Sequence, residues 1–227
     1  MNKLQKVLFL CIGLAVVGSD IAYGMEDVTY ESNGYKAIIS DPNNGFIHKT
    51  KIKVEKDGKI IELNFPSYLK AYEIYFHPSF NIAFVSCSNS TINKVFNDMT
   101  EYYILYTPSV LCFNLNNGEQ IGENLEFPKE WDLRYLKEPV VLFIDNNRFI
   151  VVAYKATLVV MKIQNDDGTM CFVDYVRYIA GAWEEGDEII KRSSEISLHE
   201  NELKFKVVKW HDRFPGNLYT EDKSIEL

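Results

Sequence analysis

Lys51-Ile-Lys-Val-Glu-Lys56, Asp57-Gly58 and Lys59-Ile-Ile-Glu-Leu-Asn-Phe65 together form the stretch that decides the fold class. Charged and apolar residues alternate with period two up to the Asp-Gly pair, and a second β-type run follows it. Side chains along a strand point alternately to its two faces, so this alternation describes a strand with one buried and one wetted face. Asp-Gly supplies the turn. A two-residue hairpin connection needs positive φ at both positions, which Asp tolerates and Gly adopts freely.

The same pattern recurs outward from this hairpin. Val140-Val-Leu-Phe-Ile144 turns through Asp145-Asn-Asn147 and returns as Phe149-Ile-Val-Val-Ala-Tyr154, while Glu195-Ile-Ser-Leu198 turns through His199-Glu-Asn201 into Leu203-Lys-Phe-Lys-Val-Val208. Further strands are expected at Tyr35 to Ser40, Ala71 to Phe76, Phe80 to Ser86, Tyr102 to Tyr106, Ser109 to Asn114, Thr157 to Ile163 and Met170 to Val176. Fourteen Tyr and fourteen Phe, with many Val and Ile, suit a β-rich chain. Only Thr91 to Met99 and Pro128 to Leu136 are expected as short helices, the second with Pro128 in its first turn, where the missing N–H costs nothing.

The expected fold is therefore all-β: antiparallel hairpins forming a twisted sandwich or meander, with at most two short helices. A small propeller-like array is the alternative. It is suggested by the overlay of the segments 73–86, 141–154 and 195–208, each an apolar run, a polar corner and a second apolar run. Neither a WD nor a kelch signature accompanies them.

Residues 1–24 read as an export signal. Lys3 and Lys6 precede an apolar run from Val7 to Val17, and Ala22-Tyr23-Gly24 places small residues where a signal peptidase reads them. The apolar run falls short of the roughly twenty residues a spanning helix needs. The expectation is a removed signal peptide followed by a single β-rich domain over residues 25–227, periplasmic or secreted, with no membrane anchor after processing. The formal charge of -8 becomes about -9 once Lys3, Lys6 and Asp20 are removed. That balance, without a dense Lys/Arg run, disfavours nucleic acid and anionic lipid and favours a basic protein partner.

Removal of Cys11 with the signal leaves Cys87, Cys112 and Cys171. Cys87 and Cys112 lie in strand-like runs, and a disulfide between them would close a loop of roughly 25 residues and contribute about 3 kcal/mol. Three buried free thiols are the other expectation. Cys171 could in principle meet His199 or His211 as a nucleophile–base pair, although Met170-Cys-Phe-Val173 reads as an apolar strand.

No complete catalytic constellation emerges, and no cofactor is expected. The four histidines, His48, His77, His199 and His211, do not fall at metal-ligand spacing, and no Cys-x-x-Cys occurs. Ser67-Tyr-Leu-Lys70 matches Ser-x-x-Lys without the companion elements of that enzyme class. Asp41-Pro-Asn-Asn-Gly45 and Asn165-Asp-Asp-Gly168 lack the closing Glu of a calcium loop and are explained as turns. Asn89-Ser-Thr91 is a glycosylation sequon, relevant only in a eukaryotic secretory path.

Gly181-Ala-Trp-Glu-Glu-Gly-Asp-Glu188 is the candidate partner-binding segment. Its glycines let a loop project, Trp183 offers an aromatic anchor, and Glu184, Glu185, Asp187 and Glu188 offer carboxylates to a basic rim. Glu130-Trp-Asp132 and Trp210-His-Asp212 repeat the theme more weakly. The resulting expectation is an exported protein-binding domain, an inhibitor or immunity protein that blocks a basic cell-wall-degrading enzyme. An exported enzyme with a spatially assembled Cys/His site and a propeller-like scaffolding protein are its rivals.

Overall fold

A computed structural model describes residues 27–40, 50–94, 102–129, 139–144, 149–155, 157–166, 169–179, 188–189, 196–200, 202–210 and 218–226. Among them there is no helix, and the strands form four four-stranded antiparallel sheets. The first sheet takes β1 (Val28–Ser32), β2 (Tyr35–Ser40), β3 (Lys51–Lys56) and β4 (Lys59–Glu62) in sequence order. The second takes β5 (Leu69–Phe76), β6 (Ile82–Lys94), β7 (Tyr102–Asn114) and β8 (Gln120–Glu126), and the third β9 (Val140–Ile144), β10 (Phe149–Tyr154), β11 (Thr157–Asp166) and β12 (Thr169–Ile179), each again a meander. In the fourth, β15 (Glu202–Trp210) is central. It pairs along one edge with β13 (Glu188–Ile189) and β14 (Ser197–His199), and along the other with β16 (Leu218–Glu226).

The sheets stack face to face, and side-chain parity shows how. From β2 and β3, Ala37, Ile39, Ile52 and Val54 point inward and meet Ala83, Val85 and Cys87 of β6 and Leu111 and Phe113 of β7. The other face of the second sheet, with Ile82, Phe84, Val110 and Cys112, packs on Val141, Ile150, Val152, Val159 and Met161 of the third. The remaining face of the third sheet, Ile144, Val151, Ala153, Leu158 and Val160, packs on Leu203, Phe205 and Val207 of β15. Thus β10 divides its residues between two cores, with Ile150, Val152 and Tyr154 in one and Val151 and Ala153 in the other. A strand buried on both faces must be an unbroken apolar run, whereas the outer sheets need apolar residues only at alternate positions.

The described outer faces of the first and fourth sheets are mostly charged. Lys51, Lys53 and Glu55 project from β3 and Lys36 from β2, where Lys36 lies opposite Glu55 and 3.6 Å from Glu31. At the other end Lys204, Lys206, Asp222 and Ser224 are exposed on paired strands. The meanders repeat as in the propeller-like alternative, and the described outer faces of the first and last sheets are solvated, with Ile60 exposed among the charged residues of the first.

The expected hairpins are present. Asp57 (φ 51°) and Gly58 (φ 75°) close β3 onto β4 in the left-handed conformation that the Asp-Gly reading requires. Asn33-Gly34, with φ 54° and 77°, closes β1 onto β2 in the same way. The hairpins β9–β10 and β14–β15 also form where expected. Two expectations are corrected. Residues 91–94 continue β6 as a strand, Thr91 opposite Leu105 and Lys94 opposite Tyr102, because β7 supplies a partner along its whole length. Pro128 and Lys129 are irregular, and the rest of the two expected helices, 95–99 and 130–136, lies outside the described residues. The separate strands expected at 102–106 and 109–114 are one. Pro108 sits opposite Ser88, and its carbonyl accepts from the Phe127 amide just past the end of β8, so its absent N–H faces the side where β8 pairing stops and the β6 ladder is spared.

Gly118, in the turn after β7, fixes how the first two sheets meet. Its carbonyl accepts from the Asn64 amide at 2.9 Å, its φ is +78°, and a Cβ there would lie 2.4 Å from the backbone oxygen of Glu62. At Gly58 the φ is similarly positive, but a Cβ would point into open space. Gly58→Ala should therefore cost about 1–2 kcal/mol, the left-handed penalty alone. Gly118→Ala should cost distinctly more in chemical denaturation, since the backbone of β4 must also move. Equal losses would show that the turn does not press on β4.

Candidate functional site

Two places bear on function, and the first is the acidic segment expected at residues 181–188. Gly181, Trp183, Glu184, Glu185 and Asp187 lie outside the described residues; Glu188 is the first residue of β13, opposite Val208. The preceding strand, β12, ends at Ile179 opposite Thr157. Residues 180–187 therefore join an edge strand of the third sheet to an edge strand of the fourth. The crossover enters the fourth sheet beside β15, whose inward residues Leu203, Phe205 and Val207 are buried. On the outer face, Lys204 approaches Glu202 at 3.3 Å. A hydrogen bond from Ser224, then one from Lys204, holds the Glu202 carboxyl below the ordinary carboxylate range. Of the two weaker aromatic-plus-acid segments, Glu130 to Asp132 lies outside the described residues, and Trp210 ends β15 opposite Leu218.

The cysteine expectations resolve by parity. Cys87 is opposite Ser109 and Cys112 is opposite Phe84, so they stand an odd number of positions apart in the β6–β7 ladder and face opposite sides of the second sheet. Cys87 lies in the core against the first sheet, Cys112 in the core against the third. Both are free and buried, and the proposed bridge does not form. Burial pushes both thiols well above their ordinary values, with a backbone hydrogen bond at Phe113 offsetting part of the rise at Cys112. Both thiols are protonated at neutral pH and shielded from solvent, the environment of a small core hydrophobe. Cys171 lies in β12 opposite Gln164, in the third sheet, while His199 ends β14 on the exposed side of the fourth. His48 and His211 lie outside the described residues. Among the described residues no group of three or more His, Cys, Asp or Glu is placed to hold a metal ion.

His77 has a structural task. Buried at the end of β5, it accepts the backbone amides of Ser79 and Phe80 on Nδ1 at 3.1 and 3.0 Å, which places its ring proton on Nε2. Its ring packs against Phe80 and edge-on against Phe143, with centroids 4.9 and 4.8 Å apart. The β5–β6 turn is thereby held in one shape and tied to the third sheet.

That turn forms the second place, a cleft of about 280 Å³ lined by Ser79, Phe80, Asn81, Ile82, Asn114 and Asn116. Asn81 is fixed at both ends of its amide: Oδ1 accepts from the Tyr35 hydroxyl at 2.7 Å, and Nδ2 donates to Asn116 Oδ1 at 3.1 Å. The Asn116 backbone amide donates in turn to Asn114 Oδ1 at 2.8 Å. Tyr35 stacks on Phe76 at 4.9 Å and carries Lys56 Nζ over its ring at 4.1 Å. The sequence signals only turns at these positions. What brings the amides together is the pairing of β6 with β7, which places Ile82 opposite Asn114.

Two measurements test this site description. Thiol labelling of the folded protein should leave Cys87 and Cys112 unmodified, and labelling after denaturation should modify both; a Cys87–Cys112 disulfide-linked peptide would contradict the parity assignment. In a carboxyl NMR titration, Glu202 should ionise below an ordinary Glu, and Ser224→Ala should move it back upward. Its contribution to stability is accordingly present above the ordinary Glu titration and lost as the pH falls through its own lowered value.

No protein-family model matches this sequence, and no curated protein matches it. Among solved structures, the chain is similar to a Bacteroides ovatus protein described as a dipeptidyl aminopeptidase IV, with 14% identity and a TM-score of 0.42. The likeness covers 87% of this chain and 31% of that one, so the chain spans under a third of its length.

Proposed function

We propose that the mature chain is an exported protein-binding domain whose acidic crossover, residues 181–188, engages a basic partner. In its specific form this is an inhibitor or immunity protein that blocks a basic cell-wall-degrading enzyme. The observation that carries the reading is the anchoring of the crossover: β12 ends at Ile179 in one sheet and β13 begins at Glu188 in the next. A segment held at both ends loses less conformational freedom on binding than a free tail, so more of its contact energy appears as affinity. Four carboxylates and one Trp in eight residues supply a charge pattern and an anchor to match a basic cleft. The overall formal charge of -8 would steer such a partner toward the chain.

The test is capture of partners by the mature chain from its own organism at low salt, followed by affinity measurement on the purified partner. Trp183→Ala should weaken binding by about 2 kcal/mol or more, as for a central aromatic anchor. Glu185→Lys should slow association, and added salt should do the same to the wild type. A partner retained equally by wild type and both variants would overturn the assignment of the crossover.

A further inference from the structure

We infer that the asparagine-lined cleft at the end of the second sheet binds a neutral, hydroxyl-rich ring of the size of one pyranose unit. The inference does not rest on the acidic crossover. It starts from the lining: Ser79, Phe80, Asn81, Ile82, Asn114 and Asn116 carry no formal charge, although a quarter of the chain's residues are Asp, Glu, Lys or Arg. A charged ligand would find no counter-ion in this lining. A neutral polar ligand would find amides.

The hydrogen-bond inventory then specifies the polarity. Within the cluster the amide oxygens are engaged: Asn81 Oδ1 by Tyr35, Asn116 Oδ1 by Asn81, and Asn114 Oδ1 by the Asn116 backbone. The Nδ2 groups of Asn114 and Asn116 remain, each with two hydrogens, so the cleft offers donors to a ligand rich in acceptor oxygens. Sugar hydroxyls accept such bonds and can also donate to the second lone pairs of the same amide oxygens.

Phe80 supplies the other half of a sugar's chemistry. It is 38% exposed, an unusual position for a phenyl ring, and His77 holds it in place through both its backbone amide and its ring. A pyranose has a face of C–H groups, polarised by the neighbouring oxygens, and the electron-rich face of an aromatic ring attracts it. A volume of about 280 Å³ is at the low end for small-molecule sites and suits a single ring rather than an extended ligand. Because Asn81 and the two turns are already tied to one another, binding requires little rearrangement.

The test is NMR titration of the full mature chain with methyl glucoside, methyl galactoside, methyl mannoside and N-acetylglucosamine, with sodium acetate as an anionic comparison. At least one pyranoside should shift the Asn114 and Asn116 side-chain amide signals together with the Phe80 ring, with a Kd on the order of 1 mM, the strength of a small contact. Phe80→Ala, which removes an exposed ring, should weaken binding at least about tenfold. Asn116→Asp keeps the acceptor for Asn81 while removing the donors, and it should weaken binding similarly with an unchanged unfolding temperature. The inference is overturned if no pyranoside moves these signals, if acetate moves them as strongly, or if both variants bind as the wild type does.

Discussion

The two inner sheets are buried on both faces, and the rest of the molecule depends on that constraint. In β6, residues 82–88 are all buried, and in β10 so are residues 150–154. Successive side chains point to opposite faces, so each of these runs feeds two cores at once. Fully burying one Val, Ile, Leu or Phe contributes about 1.5–3 kcal/mol, and a central strand collects this on both sides. Each inner sheet must therefore lie between two others. The first and fourth sheets need burial on one face only, and their described outward positions carry Lys36, Lys53, Lys204 and Asp222, with Ile60 exposed beside Glu55. The same parity places Cys87 and Cys112 in different cores, which is why two thiols on neighbouring strands do not bond.

Much of this order is legible in the sequence. The Asp57-Gly58 hairpin and the pattern of short apolar runs gave the fold class because turn chemistry and period-two alternation are local properties. The contrast between Lys51-Ile-Lys-Val-Glu-Lys56 and Ile82-Ala-Phe-Val-Ser-Cys87 also held the layer order, since alternation marks an outer sheet and an unbroken run an inner one. Strands β1, β8 and β16 have little apolar signal of their own, since they carry Thr29, Glu31, Glu123, Asn124, Glu221 and Asp222; each lies at a sheet edge and is specified by its neighbour. Residues 91–94 contain Thr91-Ile-Asn-Lys94, whose strand state comes from Tyr102 to Leu105 across the ladder and from nothing local. The cleft was the least legible feature, because Asn81 and Asn116 stand 35 positions apart and meet only through strand pairing.

Stacking on both faces also limits where this chain can act. Faces committed to packing leave turns, sheet edges and the two solvated outer faces as the places for recognition. The cleft lies at such a place, between the turn after β5 and the turn after β7. His77, beside the cleft, packs on Phe143 near the β9–β10 turn, whereas β12 ends at Ile179 opposite Thr157, at the other end of the third sheet. The two proposals call for ligands of different chemistry, so substitutions in the cleft test one without touching the residues of the other.

The most direct test of the double-faced burial compares two adjacent residues of β10. Ile150 faces the second sheet and Val151 the fourth, and both are fully buried. Measured by denaturant unfolding, Ile150→Ala and Val151→Ala should each cost about 2 kcal/mol or more, as large-to-small changes in a packed core do. A substantial loss at one position with a negligible loss at its neighbour would mean that the third sheet has a single buried face, and the stacked arrangement would be wrong.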